Sequence, residues 1–163
     1  MDIRLARIDD RLIHGQVAMV WSKQTGINRI IVVSDEVAKD HLRKFLLMEA
    51  APPGIKVNIV TISKLLQVYT SQLFQNEKVM LLFTNPYDVA TLVRNGVQIK
   101  KVNIGGMSFS NGKEMITNFV SVDQTDLAAF HFLNRQGIEI ELRKVPADRK
   151  VYLMDLLEKK ERT

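Results

Sequence analysis

Val79-Met80-Leu81-Leu82-Phe83-Thr84-Asn85-Pro86 is the stretch that decides the fold. An apolar run this short, bounded by polar residues, suits a strand covered on both faces. Asn85 and Pro86 then suit the start of a helix carrying Val89, Leu92 and Val93, which Gly96 ends. The next apolar run, Lys100–Ile104, begins four residues later. Strand, polar turn, helix, glycine stop and strand again make one βαβ unit.

The same unit recurs in both directions. Ile3–Ile8, Arg29–Val33 and Lys56–Val60 read as strands upstream, with Phe119–Val122 and Ile138–Leu142 as weaker members downstream. Helical spacing links Val17, Val20 and Trp21. It recurs over Val37–Met48, where Leu42, Phe45 and Leu46 form one stripe after the capping types Ser34 and Asp35. Further helices are expected from Ser63, from Thr125 to Arg135 behind Asp123 as cap, and over Lys150–Lys159. Strands alternating with helices of about 10–15 residues give a mainly parallel sheet, and right-handed crossovers place helices on both faces. The expected fold is a single doubly wound α/β domain spanning residues 1–163.

Composition narrows the chemistry. The chain is 46% hydrophobic and 25% charged, as expected of a folded globular protein. It has no cysteine, which removes disulfides, thiolate nucleophiles and Cys-based metal sites and fits a reducing compartment. The N-terminus lacks the apolar core of a secretory signal, and no run approaches the roughly 18 apolar residues of a membrane span. A soluble protein is expected, touching a membrane only through a partner. The net charge of +5 is distributed among acids rather than gathered in a patch, which argues against nucleic acid.

Ligands of open α/β sheets sit beyond the carboxyl ends of the strands. At the first such place the chain reads Asp9-Asp10-Arg11-Leu12-Ile13-His14-Gly15-Gln16, with Arg7 at the edge. A neutral imidazole is nucleophilic at the nitrogen lacking a proton. Neighbouring arginines favour the neutral ring and bind phosphate oxygens bidentately. A helix start offers free N–H groups to an anion, Gly15 lets backbone approach closely, and acids in the loop can orient the arginines or hold the imidazole tautomer. The alternative is a capping or surface histidine among solvated charges, and composition does not separate the two.

The run Ala6–Gln16 resembles the N-terminal signature of IIB subunits of the mannose/fructose/sorbose family of sugar phosphotransferase systems. The segments Ala51-Pro52-Pro53-Gly54, Leu82-Phe83-Thr84-Asn85-Pro86 and Val102-Asn103-Ile104-Gly105-Gly106-Met107 are similar too. The resemblance implies that His14 accepts a phosphoryl group from the phosphohistidine of a IIA domain. His14 then passes the group to a sugar entering through a membrane IIC/IID pair. It also implies Arg7 and Arg11 as phosphate-binding arginines; Asp10 is expected to join them as the catalytic acid of the loop. A cytoplasmic protein peripherally associated with the transporter is implied, with no cofactor or metal.

The remaining histidines are expected outside the site: His41 facing solvent, His131 packed between Phe130 and Phe132. They share no metal-ligand spacing with His14. Gly105-Gly106 could form a phosphate-binding nest or a plain turn. Trp21 is expected in the core. A response-regulator receiver needs an acceptor aspartate after the third strand, and Val60-Thr61-Ile62-Ser63 supplies none. A nucleotide-binding module needs a glycine-rich loop before Gly15, and none is present. A non-catalytic α/β regulatory or interaction domain with an inert His14 is the surviving rival.

Overall fold

The computed structural model describes residues 1–162. In chain order the elements are β1 (Asp2–Asp9), α1 (Val17–Thr25), β2 (Arg29–Val33), α2 (Asp35–Ala38), α3 (His41–Glu49), β3 (Lys56–Val60), α4 (Ile62–Tyr69) and β4 (Lys78–Phe83). There follow α5 (Pro86–Arg94), β5 (Lys101–Gly106), β6 (Glu114–Thr117), β7 (Val120–Val122), α6 (Gln124–Arg135), β8 (Glu139–Leu142), β9 (Val151–Tyr152) and α7 (Leu153–Glu161). The main sheet has the order β3-β2-β4-β1-β5-β8-β9 and is parallel except for β9, which runs against β8.

Alternation within the strands explains why helices lie on both faces. Val79, Leu81 and Phe83 of β4 join one core, and Met80 and Leu82 join the other. β2 divides in the same way, Ile31 and Val33 against Ile30 and Val32. The larger core takes Leu65 of α4, Leu92 of α5, Phe130 of α6 and Leu153 of α7, and the smaller takes Trp21 of α1 and Leu47 of α3. Full burial of such side chains contributes about 1.5–3 kcal/mol each.

Several expectations need correction. The helix expected over Val37–Met48 is broken: Ser34 caps α2 through the Val37 amide, and Asp40 caps a fresh helix through the Arg43 amide. The new start sets a phase in which Leu47 faces the sheet, so Leu42, Phe45 and Leu46 point outward at 68%, 60% and 56% exposure. Thr61 rather than Ser63 caps α4. β7 belongs to a separate two-stranded antiparallel sheet with β6. The closing helix begins three residues after Lys150, because Val151 and Tyr152 first pair with β8 as its antiparallel neighbour. The caps at Asn85 and Asp123 stand as expected, the second within a capping box with Asp126.

β1 lies centrally, between β4 and β5. The chain leaving β1 passes to β2 on one side, and the chain leaving β5 passes to β8 on the other. The crevice between the carboxyl ends of β1 and β5 is therefore the topological switch point of the sheet.

Candidate active site

At that crevice a buried carboxylate gathers two guanidinium groups and an imidazole. Asp9, the last residue of β1, has no exposed surface. Its Oδ2 accepts from Arg7 Nη2 at 3.0 Å and Arg11 Nη2 at 3.2 Å, and lies 3.1 Å from His14 Nε2. Its Oδ1 accepts from Arg11 Nε and the Arg11 amide, both at 3.1 Å. Burial alone would raise the Asp9 pKa, but the Arg11 hydrogen bonds, the charge of Arg7 and the His14 contact outweigh it and hold the carboxyl below its ordinary value. Asp9 is therefore an anion and an acceptor at neutral pH.

The loop reaches this geometry through two left-handed residues. Leu12 has φ 60° and is buried, and its amide closes a turn on the Asp9 carbonyl at 2.8 Å. A non-glycine residue in this region is uncommon and costs about 1 kcal/mol or more. Gly15 has φ 49° and turns the chain into α1. Gln16, at the N-cap, places no side chain on the first amides of that helix.

Arg7 and Arg11 differ sharply. Arg7 is 2% exposed and lies 5.2 Å from the Trp21 ring centroid. It donates to the Asn103 side chain and, at 3.1 Å each, to the carbonyls of Arg143 and Lys144. Its burial lowers its pKa, against the charge of Asp9. Both its terminal nitrogens are thus engaged inside the protein. Arg11, by contrast, has a half-exposed side chain and presents a free edge beside the quarter-exposed His14.

Gly105 and Gly106 make room for these arginines. A Cβ at 105 would overlap the Arg7 guanidinium, and one at 106 would lie 3.3 Å from Arg11 Nη2 and from Asp9 Oδ1. Both glycines belong to β5 and neither has positive φ. The expected alternatives, nest or plain turn, give way to clearance for side chains.

Asp10, expected beside the arginines, turns elsewhere. Its carboxylate accepts from the Ser108 amide at 2.7 Å and the Ser108 hydroxyl at 3.0 Å. Asp9 takes the orienting position because β1 continues through it, and the two-residue period puts Arg7 and Asp9 on one face. That period was the available signal for Asp9. No local signal marked Asn103 or the carbonyls of Arg143 and Lys144, which arrive from distant parts of the chain.

His41 opens α3 and is exposed, as expected. His131 is also exposed, against the expectation of packing, because Phe130 and Leu133 occupy the inward face of α6. Trp21 is buried, as expected, and its indole N–H donates to the Lys144 carbonyl at 2.9 Å. Asn85 lines a separate cavity with Asp35 and Asp88. Among the described residues no group of three His, Asp or Glu side chains is placed to hold a metal ion.

Known proteins place this geometry in a family. The family model described as the IIB component of the PTS (sugar phosphotransferase) system sorbose subfamily matches residues 3–163. The chain is 56% identical over 159 residues to the PTS system mannose-specific EIIAB component of Escherichia coli K12, covering 98% of this chain and 49% of that protein. It thus spans about half the length of the mannose-specific relatives it matches. It is 55% identical over 148 residues to the PTS system sorbose-specific EIIB component of Lacticaseibacillus casei, covering 91% of this chain and 90% of that one. The crystal structure of the IIBSor domain of the sorbose permease from Klebsiella pneumoniae superimposes with a TM-score of 0.95 at 50% identity, over 98% of each chain. A family match over almost every residue, joined to near-complete structural superposition, makes this chain a member of the sorbose subfamily of PTS IIB components.

Proposed function

We propose that this protein carries a phosphoryl group on Nδ1 of His14, taking it from a IIA phosphohistidine and passing it to a sugar. The carrying observation is the 3.1 Å contact between His14 Nε2 and the buried, ionised Asp9. An anion there holds the proton on Nε2, which leaves the lone pair on Nδ1. As Nδ1 bonds to phosphorus the ring gains positive charge, and Asp9 stabilises it without being protonated.

Phosphoryl transfer passes through a loose transition state with charge on three equatorial oxygens, so positioning and fixed charge carry most of the catalysis. Arg11 supplies both. Two of its nitrogens are held by Asp9, and Nη1 has no hydrogen-bond partner among the described residues. The uncapped amides at the start of α1 lie on the same loop and favour an anion. Arg7 acts through Asp9 as a positioning residue, its own guanidinium being enclosed.

The names of relatives support the partners of this reading. Relatives named EIIAB support a IIA domain as donor, and the membrane IIC/IID pair is where the sugar would be met. Relatives named for mannose, sorbose and fructose support a hexose as acceptor. No helix among the described residues is long and apolar enough to cross a membrane. The protein would work on the cytoplasmic side, docked on the membrane subunits.

Incubation with a phosphorylated IIA domain tests the reading. Acid-labile label should appear on the wild type, vanish in His14→Ala and persist in His41→Ala and His131→Ala. Label remaining in His14→Ala would refute the assignment.

A further inference from the structure

Arg7, Asn103 and Glu141 stand side by side across the neighbouring strands β1, β5 and β8. The parallel register pairs Arg7 with Asn103 and Asn103 with Glu141. Paired positions of a sheet project from one face, so the three side chains form a row. All three are buried, at 2%, 1% and 4% exposure. We propose that Asn103 and Glu141 are positioning residues for phosphoryl transfer, acting through Arg7 and Asp9 to hold the His14 ring. This inference rests on the phosphoryl-carrier reading above and names the residues that support its acceptor ring from behind.

Donor and acceptor chemistry gives the row a direction. The Glu141 carboxylate is gripped by Arg143, whose Nε and Nη2 donate to it at 2.9 and 3.0 Å. A carboxylate only accepts, so it takes Asn103 by its NH2 group, at 3.1 Å. The Arg143 carbonyl accepts from the same nitrogen at 3.3 Å. With its nitrogen committed, Asn103 turns its oxygen to Arg7 Nη1. A flipped amide would set a donor against the guanidinium and an acceptor against the carboxylate.

Arg7 passes the orientation on because its guanidinium is planar and rigid. Fixing Nη1 on Asn103 fixes Nη2, which donates to Asp9 Oδ2 at 3.0 Å. The same oxygen lies 3.1 Å from His14 Nε2. Side-chain contacts thus run unbroken from Glu141 through Asn103, Arg7 and Asp9 to the imidazole. Asp9 Oδ2 also accepts from the half-exposed Arg11 at 3.2 Å. A loosened Arg7 would leave the carboxylate free to follow Arg11 away from the ring.

Charge works in the same sense. Burial lowers the Arg7 pKa, and the charges of Asp9 and Glu141 oppose that shift. Because two anions share the charge of Arg7, Asp9 keeps acceptor strength for His14. The buried Trp21 ring lies 5.2 Å from Arg7 and 5.3 Å from Arg143, centroid to guanidinium carbon. The row therefore works in water-poor surroundings, where each hydrogen bond is electrostatically stronger.

The rival role for the row is to fasten β5 to β1 and β8 and nothing more. A fastening lowers stability when cut but leaves the folded molecules with an unaltered His14. A positioning row changes the imidazole itself.

Asn103→Leu keeps the branched shape and removes both links, and Glu141→Gln keeps the length while freeing the Asn103 amide to flip. Well below their melting temperatures, both should load from phosphorylated IIA about 10-fold slower than wild type. Nitrogen-15 NMR should find the His14 proton on Nε2 in wild type and divided between the ring nitrogens in both variants. In an Asp9→Asn background, Asn103→Leu should slow loading by less than about twofold more, because its route to His14 is already cut. Lys101→Gln, at an exposed lysine opening β5, should change neither rate nor tautomer. Lower melting temperatures with wild-type rate and tautomer, full additivity with Asp9→Asn, or failure of both variants to fold would each overturn the proposal and leave the row a fastening between strands. A wild type that never loads overturns the carrier reading instead, and the tautomer measurement still decides the row.

Discussion

Asp9 Oδ2 stands 3.1 Å from His14 Nε2, and the carboxylate that makes this contact is wholly enclosed by protein. The enclosure makes Asp9 the member of the loop that determines which imidazole nitrogen is left facing outward. Asp9→Asn replaces an obligate acceptor by a group that can also donate, so the tautomer is no longer dictated. Loading of His14 should fall about 10²-fold or more, as when a catalytic imidazole is left in the wrong tautomer. Nitrogen-15 NMR of the His14 ring at pH 8 should show the proton on Nε2 in wild type and a mixture in the variant. An unchanged tautomer with full transfer would remove Asp9 from the mechanism.

Arg11 is expected to matter for rate far more than for folding. Arg11→Gln should slow loading about 10²-fold, comparable to removing one oxyanion donor. Arg11→Lys keeps the charge but loses the planar fork, and should retain part of the rate. Both should stay folded, melting below wild type by no more than the loss of the two side-chain hydrogen bonds to the buried Asp9. Stopped-flow transfer alongside thermal melts decides the matter. A normally melting Arg11→Gln that transfers within a few-fold of wild type would mean that Arg11 merely pairs with Asp9.

The two adjacent glycines should respond differently to the same methyl group. At 105 the methyl meets an Arg7 guanidinium locked by Asp9, Asn103 and two carbonyls, so neither partner can retreat. Gly105→Ala should lose about 3 kcal/mol of stability, at the upper end for overpacking a rigid site. At 106 the neighbours are the half-exposed end of Arg11 and Asp9 Oδ1, each at 3.3 Å, a tight contact rather than an overlap, and Arg11 can shift outward. Gly106→Ala should lose about 0.5 kcal/mol or less and slow transfer instead. Urea melts and loading rates on both variants check this, and equal destabilisation would contradict it.

Acid should weaken the protein partly through Asp9. Its folded-state pKa lies below the ordinary carboxylate value, so its ionised form stabilises the native state. That contribution is complete above the ordinary value of about 4 and is lost as pH falls through the lower folded-state value. The difference in melting temperature between wild type and Asp9→Asn should therefore be constant from about pH 7 to 5 and shrink below about 4. A difference that grows on acidification would mean that Asp9 is held protonated in the native protein.

The sequence by itself determined the alternation of elements and the grouping of Asp9, Arg11 and His14 in one loop. Short β-branched runs such as Arg29–Val33 favour a buried strand, and residues such as Asn85 and Asp123 announce their helices through local hydrogen bonds. Both signals act over a few residues, which is why they survive without a structure. Likewise His14 and Arg11 share one short loop with Asp9, so their association was legible in advance. The tertiary structure alone decided which acid meets His14 and which arginine is enclosed. Arg7 is enclosed because Asn103, the carbonyls of Arg143 and Lys144, and the bare Cα of Gly105 converge on it from 96 to 137 residues away. Asp10 is drawn off by Ser108 in the same long-range manner. Whether a charged side chain ends up buried or half exposed depends on neighbours supplied by other strands, and no local pattern encodes that choice.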